Sequence, residues 1–166
     1  MAWKASQWHT LWQGSSIVLY RDDAEVDRVA AADIRRVVVV YGGAGDTPGD
    51  LSYAVIETDD SHVIFPAETG IAGRIHFERQ SFWSGLDAIY WVPEAQAGLP
   101  ARLRRGSWLS RRTRAQYQRL PKTELAALVD AWPLEGPQTW EQRKWERIER
   151  SRPFAAAPGA GHARAR

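Results

Sequence analysis

The run Val-Val-Val-Val-Tyr at residues 37–41 limits what this chain can fold into more than any other feature of its sequence. β-branched side chains favour extended backbone, and the run is too short and too closely flanked by turn residues for a helix. Because it carries no polar side chain to turn toward water, we predict a strand that is buried on both faces. No run of hydrophobic residues in the sequence is longer, so the sequence predicts no membrane span.

Turn signals divide the first 92 residues into short strands. We predict strands at residues 8–13, 16–20, 26–29, 37–41, 51–57, 62–66 and 88–92. The segments 51–57 and 62–66 flank Thr58-Asp59-Asp60-Ser61, which predicts a β-hairpin. Apolar residues within 70–83 fit a helical face as well as strand alternation, and we predict a helix there.

Two further helices are predicted near the C-terminus. The first, with Thr123 as its N-cap, carries an apolar stripe at i, i+3, i+4 and i+7. The stripe consists of Leu125, Leu128, Val129 and Trp132. The second begins at Thr139, which has the capping-box spacing to Gln142, and it runs to about residue 150. We expect Glu146 and Arg150 to form an i,i+4 ion pair on it.

Composition excludes several classes of protein. With 44% hydrophobic and 25% charged residues among 166, the chain is typical of a folded, soluble protein. The absence of cysteine excludes disulfide scaffolds, thiolate zinc sites, iron–sulfur clusters and cysteine nucleophiles. The first residues lack the apolar stretch of a secretory signal, so we expect a cytoplasmic protein.

Tryptophan is unusually frequent, with nine in the chain. So many large amphipathic rings indicate either aromatic anchors in a modest core or a surface built to be covered. Trp140 and Trp145 lie about 140° apart around the second predicted helix, so one face cannot bury both. One of the two is therefore expected to meet another segment or a partner.

These patterns predict the α+β class, with an antiparallel β-sheet or small barrel followed by C-terminal helices. The predicted organisation has four parts in chain order. They are a β-rich core at 1–92, a basic connecting segment at 93–120, two helices packing on or beside the core at 121–152, and a disordered tail at 153–166.

Part of the N-terminal pattern resembles the early strands of bacterial pleckstrin-homology-like domains. The resemblance is carried by the strand 16–20, the turn Arg21-Asp22-Asp23 and the step Ala32-Asp33-Ile34-Arg35-Arg36-Val37-Val38-Val39. It implies a small barrel within residues 8–92 and a capping helix at 125–132, while segments 67–83 and 93–120 depart from the pattern. Members of that family mostly bind proteins, peptides or lipid head groups, so the resemblance implies binding rather than catalysis.

Charge is distributed unevenly along the chain. Residues 1–83 hold 7 Lys and Arg against 12 Asp and Glu, whereas residues 84–166 hold 15 against 8. Residues 101–120 contain seven arginines and no acid. Arginine forks match phosphate geometry, and Trp108 and Tyr117 are suited to stacking on bases. The candidate residues for binding an anion or a partner are Arg102, Arg104, Arg105, Trp108, Arg111, Arg112, Arg114, Tyr117 and Arg119.

The leading functional hypothesis is therefore a non-catalytic interaction module that presents this arginine–tryptophan surface to an acidic protein or another anionic partner. Nucleic-acid binding by the same residues is the alternative. A third interpretation has no functional site, because the basic segment pairs with the acidic first half of the chain or lies solvated beside the core.

Other chemistry receives little support from the sequence. The glycine-rich loop at 42–50 contains acids and a proline where a phosphate-binding turn would open a helix, so we expect a plain loop. The histidines show no metal-ligand spacing, and no cofactor is expected. His76 with Glu78 has the composition of an acid–base pair and is the only enzymatic hypothesis; no nucleophile motif accompanies it.

Overall fold

A computed structural model describes residues 6–45, 48–70, 88–104 and 114–151. The described residues form two β-sheets with eight strands in total and two C-terminal helices, which confirms the α+β class. The predictions for 70–83 and 153–166 concern residues that lie outside this description. No helix among the described residues is long and apolar enough to cross a membrane.

The first three strands form a small antiparallel sheet. They are β1 (Trp8–Gln13), β2 (Ser16–Arg21) and β3 (Ala24–Ala30). The turn between β2 and β3 consists of Asp22 and Asp23, both at positive φ (50° and 67°). Aspartate tolerates this left-handed conformation better than most residues, and two such residues match the twist of a tight hairpin.

The other five strands form a mixed sheet in the order β7-β4-β5-β6-β8. They are β4 (Arg36–Tyr41), β5 (Leu51–Glu57), β6 (Ser61–Pro66), β7 (Ile89–Pro93) and β8 (Gln118–Pro121). The predicted hairpin of β5 and β6 is confirmed. The expectation of an antiparallel sheet was incomplete, because β7 runs parallel to β4. Such pairing needs a long crossover, and the connection from β6 to β7 supplies one. The described residues contain no closed barrel.

Strand β4 is buried on both faces, as its sequence predicts. Val37, Val39 and Tyr41 belong to one hydrophobic cluster, together with residues of β2 and β3 from the small sheet. Val38 and Val40 belong to a second cluster on the opposite face, with residues of the first helix. The five-stranded sheet is thus the middle of three layers, which explains why its central strands lack polar alternation.

Helix α1 (Lys122–Ala131) covers the second cluster. The prediction of Thr123 as its N-cap was wrong, because the cap position is Pro121 and no side chain caps the helix. Proline with its fixed φ directs the chain from β8 straight into α1, so the helix begins one residue before Thr123. Leu125 and Val129 are buried, and Trp132 is 6% exposed, as the apolar stripe predicts.

Helix α2 (Trp140–Ser151) begins at the predicted capping box. The backbone N–H of Thr139 donates to Gln142 Oε1 at 2.9 Å, and the backbone N–H of Gln142 donates to Thr139 Oγ1 at 3.2 Å. The predicted ion pair between Glu146 and Arg150 was wrong: among the described residues Glu146 instead accepts a hydrogen bond from Gln138 Nε2 at 2.6 Å. The segment that precedes the helix therefore provides the nearer partner.

The chain reaches α2 by running along the outer edge of β7. Trp91 and Glu135 exchange two backbone hydrogen bonds of 2.9 and 2.7 Å. The backbone N–H of Gln138 donates to the Ile89 carbonyl at 2.9 Å. Gly136 stands between them at φ 114°, where an added Cβ would lie 3.1 Å from that Ile89 carbonyl oxygen. This close approach requires glycine, and it places α2 beside the edge of the sheet.

Candidate functional site

Two described stretches of the arginine-rich segment meet in a short antiparallel contact. Arg104 forms an isolated β-bridge with Ala115, and the backbone N–H of Gln116 donates to the Leu103 carbonyl at 2.9 Å. Leu103 and Ala115 are each 1% exposed and belong to the hydrophobic cluster beneath α1. Two passes of the chain are thereby held side by side, with their apolar side chains directed inward.

Residues 102–104 and 114–116, which we call the arginine stem, fix both ends of segment 105–113. That segment lies outside the described residues. It contains four of the nine predicted contact residues, namely Arg105, Trp108, Arg111 and Arg112. The stem therefore shows where this basic segment is attached.

The three arginines of the stem are exposed. Arg102 Nη1 lies 3.3 Å from Glu124 Oε2, with side chains 57% and 41% exposed, and ion pairs this open to water contribute little. Arg104 and Arg114 have no carboxylate within ion-pair distance among the described residues. The stem thus presents two arginines, Arg104 and Arg114, that no carboxylate of the described residues neutralises.

Arg119 and Tyr117 are engaged in a different way. Arg119 binds both oxygens of Asp27, through Nη2 at 2.7 Å and Nε at 3.0 Å, and its Nη1 donates to Ser61 Oγ at 2.9 Å. The Tyr117 hydroxyl also donates to Asp27, and its ring meets Phe65 edge-on at 6.4 Å. These two residues connect β3 of the small sheet to β8, so their polar groups are committed to the fold.

The ionisation of this cluster follows from its contacts. Burial opposes the charge on Asp27, but hydrogen bonds from Arg119, Tyr117 and the Arg28 amide outweigh it and lower the pKa of the carboxyl group. The hydrogen bond to Asp27 is the main cause of the raised pKa of Arg119. Burial, and then the same carboxylate, raise the pKa of Tyr117. The cluster is therefore a charged pair with a neutral phenol at neutral pH.

A second charged cluster surrounds the buried imidazole of His62, which is 0% exposed. His62 Nε2 lies 3.2 Å from Glu57 Oε2, and the same carboxylate pairs with Arg36 at 2.8 Å and Lys122 at 3.3 Å. Arg36 also reaches Asp130 on α1 at 3.1 Å. Because His62 has no exposed surface, it cannot meet a substrate, and the cluster joins β4, β5, β6 and α1.

The enzymatic hypothesis of His76 with Glu78 concerns residues outside the described part of the chain. The histidine–glutamate contact that the structure does contain, His62 with Glu57, received no role in the sequence reasoning. The predicted hairpin could have revealed it, because Glu57 and His62 lie on either side of residues 58–61 and pair directly across the two strands.

Stability is expected to fall with acidification as soon as His62 titrates. Burial is the main reason that the pKa of His62 is lowered; nearby Lys122 and Arg36 act in the same direction, and Glu57 opposes them. Below a pH of about 6.5 the histidine of the unfolded chain becomes protonated, whereas the buried imidazole of the native protein stays neutral. The free energy of unfolding therefore decreases as the pH falls. Urea denaturation between pH 5.5 and 7.5 measures this slope.

The variant His62→Gln keeps an N–H donor for Glu57 and removes the titration. It should flatten the pH dependence between about 5.5 and 7, while the loss at lower pH that comes from the carboxylates Glu57 and Asp27 remains. An unchanged slope in His62→Gln would contradict the assignment of the slope to this imidazole.

A cleft of about 1220 Å³ lies where α2 meets the segment that precedes it. On its inner side the Arg143 guanidinium stacks on Tyr41 at 4.3 Å and on Trp91 at 5.1 Å. Arg143 Nη1 also reaches Glu135 Oε2 at 3.3 Å, and the Tyr41 hydroxyl donates to Glu135 Oε1 at 2.5 Å. This arrangement fixes α2 to the sheet edge. The sequence reasoning missed the cleft because its inner side depends on Tyr41 and Trp91, which lie far along the chain from the lining residues within 135–150.

The described residues define an α+β protein with an exposed basic surface, the arginine stem, and a cleft beside α2. Comparisons of the chain with protein-family models, with curated proteins and with solved structures give no match. Within the described residues, no group of three or more histidines and acids is placed to hold a metal ion. The geometry of the sites is therefore the basis for the function proposed below.

Proposed function

We propose that this protein is a non-catalytic interaction module that binds an acidic protein through the arginine stem and the basic segment attached to it. The observation that carries the proposal is the bridge between Arg104 and Ala115, which brings the two chain passes that carry the exposed Arg104 and Arg114 together above buried Leu103 and Ala115. Exposed cations that carboxylates do not neutralise attract an anionic surface and accelerate its association.

The contrast with the rest of the molecule supports this choice. The carboxylates Asp27, Glu57 and Asp59 each pair with an arginine of the body, at 2.7 to 2.8 Å. The acidic first half of the chain therefore draws its partners largely from arginines outside the stem. The hypothesis that the whole basic segment is neutralised internally fits Arg119 and does not fit Arg104 or Arg114.

An acidic protein is favoured over nucleic acid because of Tyr117. Stacking of bases on exposed aromatic rings supplies much of the affinity for single-stranded nucleic acid. The Tyr117 ring packs 5.8 Å from Trp8 and 6.4 Å from Phe65, and its hydroxyl is bound to Asp27. Tyr117 is not free to stack on a base, and residues 102–104 and 114–116 contain no aromatic side chain, so the stem itself contributes charge and hydrogen bonding.

The double variant Arg104→Glu/Arg114→Glu should abolish capture of the partner. Each reversed charge removes an attraction worth a few tenths to 1 kcal/mol and adds a repulsion, so we expect affinity to fall about tenfold or more. The measurement is affinity capture from lysate of the cells that express the protein, with and without nuclease, at several salt concentrations. A protein retained only by the wild type, through nuclease treatment and less at high salt, is the expected result.

The matched control is Arg147→Glu/Arg150→Glu, which reverses two exposed arginines of α2 and should leave capture unchanged. Circular dichroism of both variants checks that they fold. Equal capture by wild type and Arg104→Glu/Arg114→Glu would refute the role of the stem. Captured material that disappears with nuclease would overturn the choice of an acidic protein in favour of nucleic acid.

A further inference from the structure

The exposed side of α2 carries a tryptophan surrounded by carboxylates. Trp145 is 53% exposed, the largest exposure among the bulky apolar residues described. Glu141 and Glu149 stand one turn before and one turn after it, at i−4 and i+4, and therefore share its side of the helix. Glu146 follows it and lines the same cleft. We call these four residues the outer face of α2.

Helical geometry explains why this tryptophan cannot be buried with its neighbour. Trp140 packs against the hydrophobic cluster between the two sheets, and Lys144 Nζ lies 5.0 Å from its ring. Trp145 stands about 140° further round the helix and faces away from that cluster. One helix face therefore does not bury both rings, and the expectation that one of them meets another segment or a partner stays a prediction. An exposed indole of this kind is typical of residues that anchor an interface.

The carboxylates of the outer face differ from Asp27, Glu57 and Asp59, which each pair with an arginine. Among the described residues, no Lys or Arg lies within ion-pair distance of Glu141, Glu146 or Glu149, and no cation stacks on Trp145. Four glutamates and two arginines line the cleft, and Arg143, one of those two arginines, is engaged with Glu135. The cleft therefore has excess negative charge next to an uncovered aromatic ring.

The same protein shows what this combination of groups binds. Arg143 is held between the faces of Tyr41 and Trp91 and a carboxylate, Glu135, and its side chain is only 11% exposed. A guanidinium is thus held here by aromatic rings on its faces and a carboxylate at one edge, while its Nε has no hydrogen-bond partner among the described residues. The outer face of α2 offers the same two groups, a ring and flanking carboxylates, to the outside.

We propose that the outer face of α2 is a second binding surface, which takes an arginine- or lysine-containing segment of a partner protein. A cationic side chain of that segment stacks on Trp145, and the carboxylates of Glu141 and Glu149 bind its charge from either side. This site is opposite in charge to the arginine stem and does not depend on it. The protein would then bridge an acidic partner and a basic one.

The probe for this surface is a fluorescein-labelled twelve-residue peptide of alternating arginine and glycine, measured by fluorescence anisotropy at low and at physiological salt. We expect Trp145→Ala to weaken binding about fivefold, and Trp145→Phe to recover part of the loss because phenylalanine still offers a ring face. The double variant Glu141→Lys/Glu149→Lys should weaken binding more than tenfold.

Two control variants test specificity. The variant Glu25→Lys/Asp33→Lys adds the same charge at two exposed positions in the N-terminal part of the chain, outside α2. It should bind the peptide as the wild type does. Arg104→Glu/Arg114→Glu should also bind it undiminished, so a failure of the arginine stem and a failure of this surface give different results. Equal weakening by the Glu25/Asp33 and Glu141/Glu149 variants would show non-specific attraction and overturn the proposal.

A second copy of this chain is the competing occupant. Sedimentation velocity over a range of concentrations distinguishes it, because the wild type would then self-associate and Glu141→Lys/Glu149→Lys would not. A monomer that binds the peptide through Trp145 supports a separate basic partner. Self-association that the peptide does not prevent would overturn the proposal of a separate basic partner.

Discussion

Replacing Trp91 by alanine should lower the free energy of unfolding by about 3 to 5 kcal/mol, because the substitution removes the largest fully buried side chain and leaves a cavity. The indole also donates from Nε1 to the Gln138 carbonyl at 2.8 Å and supports Arg143 through its ring face. Its loss therefore weakens the attachment of α2 to the sheet edge. Urea denaturation followed by circular dichroism at neutral pH measures the change.

Trp145→Ala is the matched control, since it makes the same substitution on a ring that is 53% exposed. We expect it to change stability by less than about 0.5 kcal/mol. If Trp91→Ala does not fold, Trp91→Phe provides the test: it keeps most of the packing and loses the indole hydrogen bond, at a cost of about 1 to 2 kcal/mol. Equal costs for Trp91→Ala and Trp145→Ala would contradict the central position of Trp91.

The elements that sequence reasoning predicted well are those whose signals are local. The valine run at 37–41 specifies a buried strand because side-chain shape and lack of polarity act within five residues. The hairpin of β5 and β6 depends on one short turn, and the capping box at Thr139 depends on a spacing of three. Each of these three elements can be predicted without knowing which other segments lie nearby.

What could not be predicted depends on contacts between distant segments. The parallel pairing of β7 with β4 is decided by the route of a long connection, and the edge contact of Trp91 with Glu135 joins residues 44 positions apart. The sequence likewise showed that the arginines of 101–120 are numerous but not that Asp27 binds Arg119 and leaves Arg104 exposed. Charge counting cannot separate committed from uncommitted arginines, because pairing is set by tertiary position.

Replacing Asp27 by alanine should cost about 2 to 3 kcal/mol, the second-largest loss we expect. Asp27 is 12% exposed and accepts hydrogen bonds from Arg119 and Tyr117, so its removal leaves a part-buried guanidinium and a phenol without their main acceptor. This loss in the free energy of unfolding lies at the lower end of the range for buried pairs, because Arg119 is 37% exposed and keeps Ser61 as a partner.

The chain offers a close control for this prediction in the pair of Arg35 with Asp59, which has the same two-pronged geometry at 2.7 and 2.9 Å but lies at the surface. Water and salt screen that pair, so Asp59→Ala should have much the smaller effect. The lowered pKa of Asp27 also means that its contribution is complete at neutral pH and is lost as the pH falls below about 4. The difference between the two variants should therefore shrink on acidification; a difference that persists at low pH, or no difference at neutral pH, would show that charge at Asp27 does not hold the small sheet to β8.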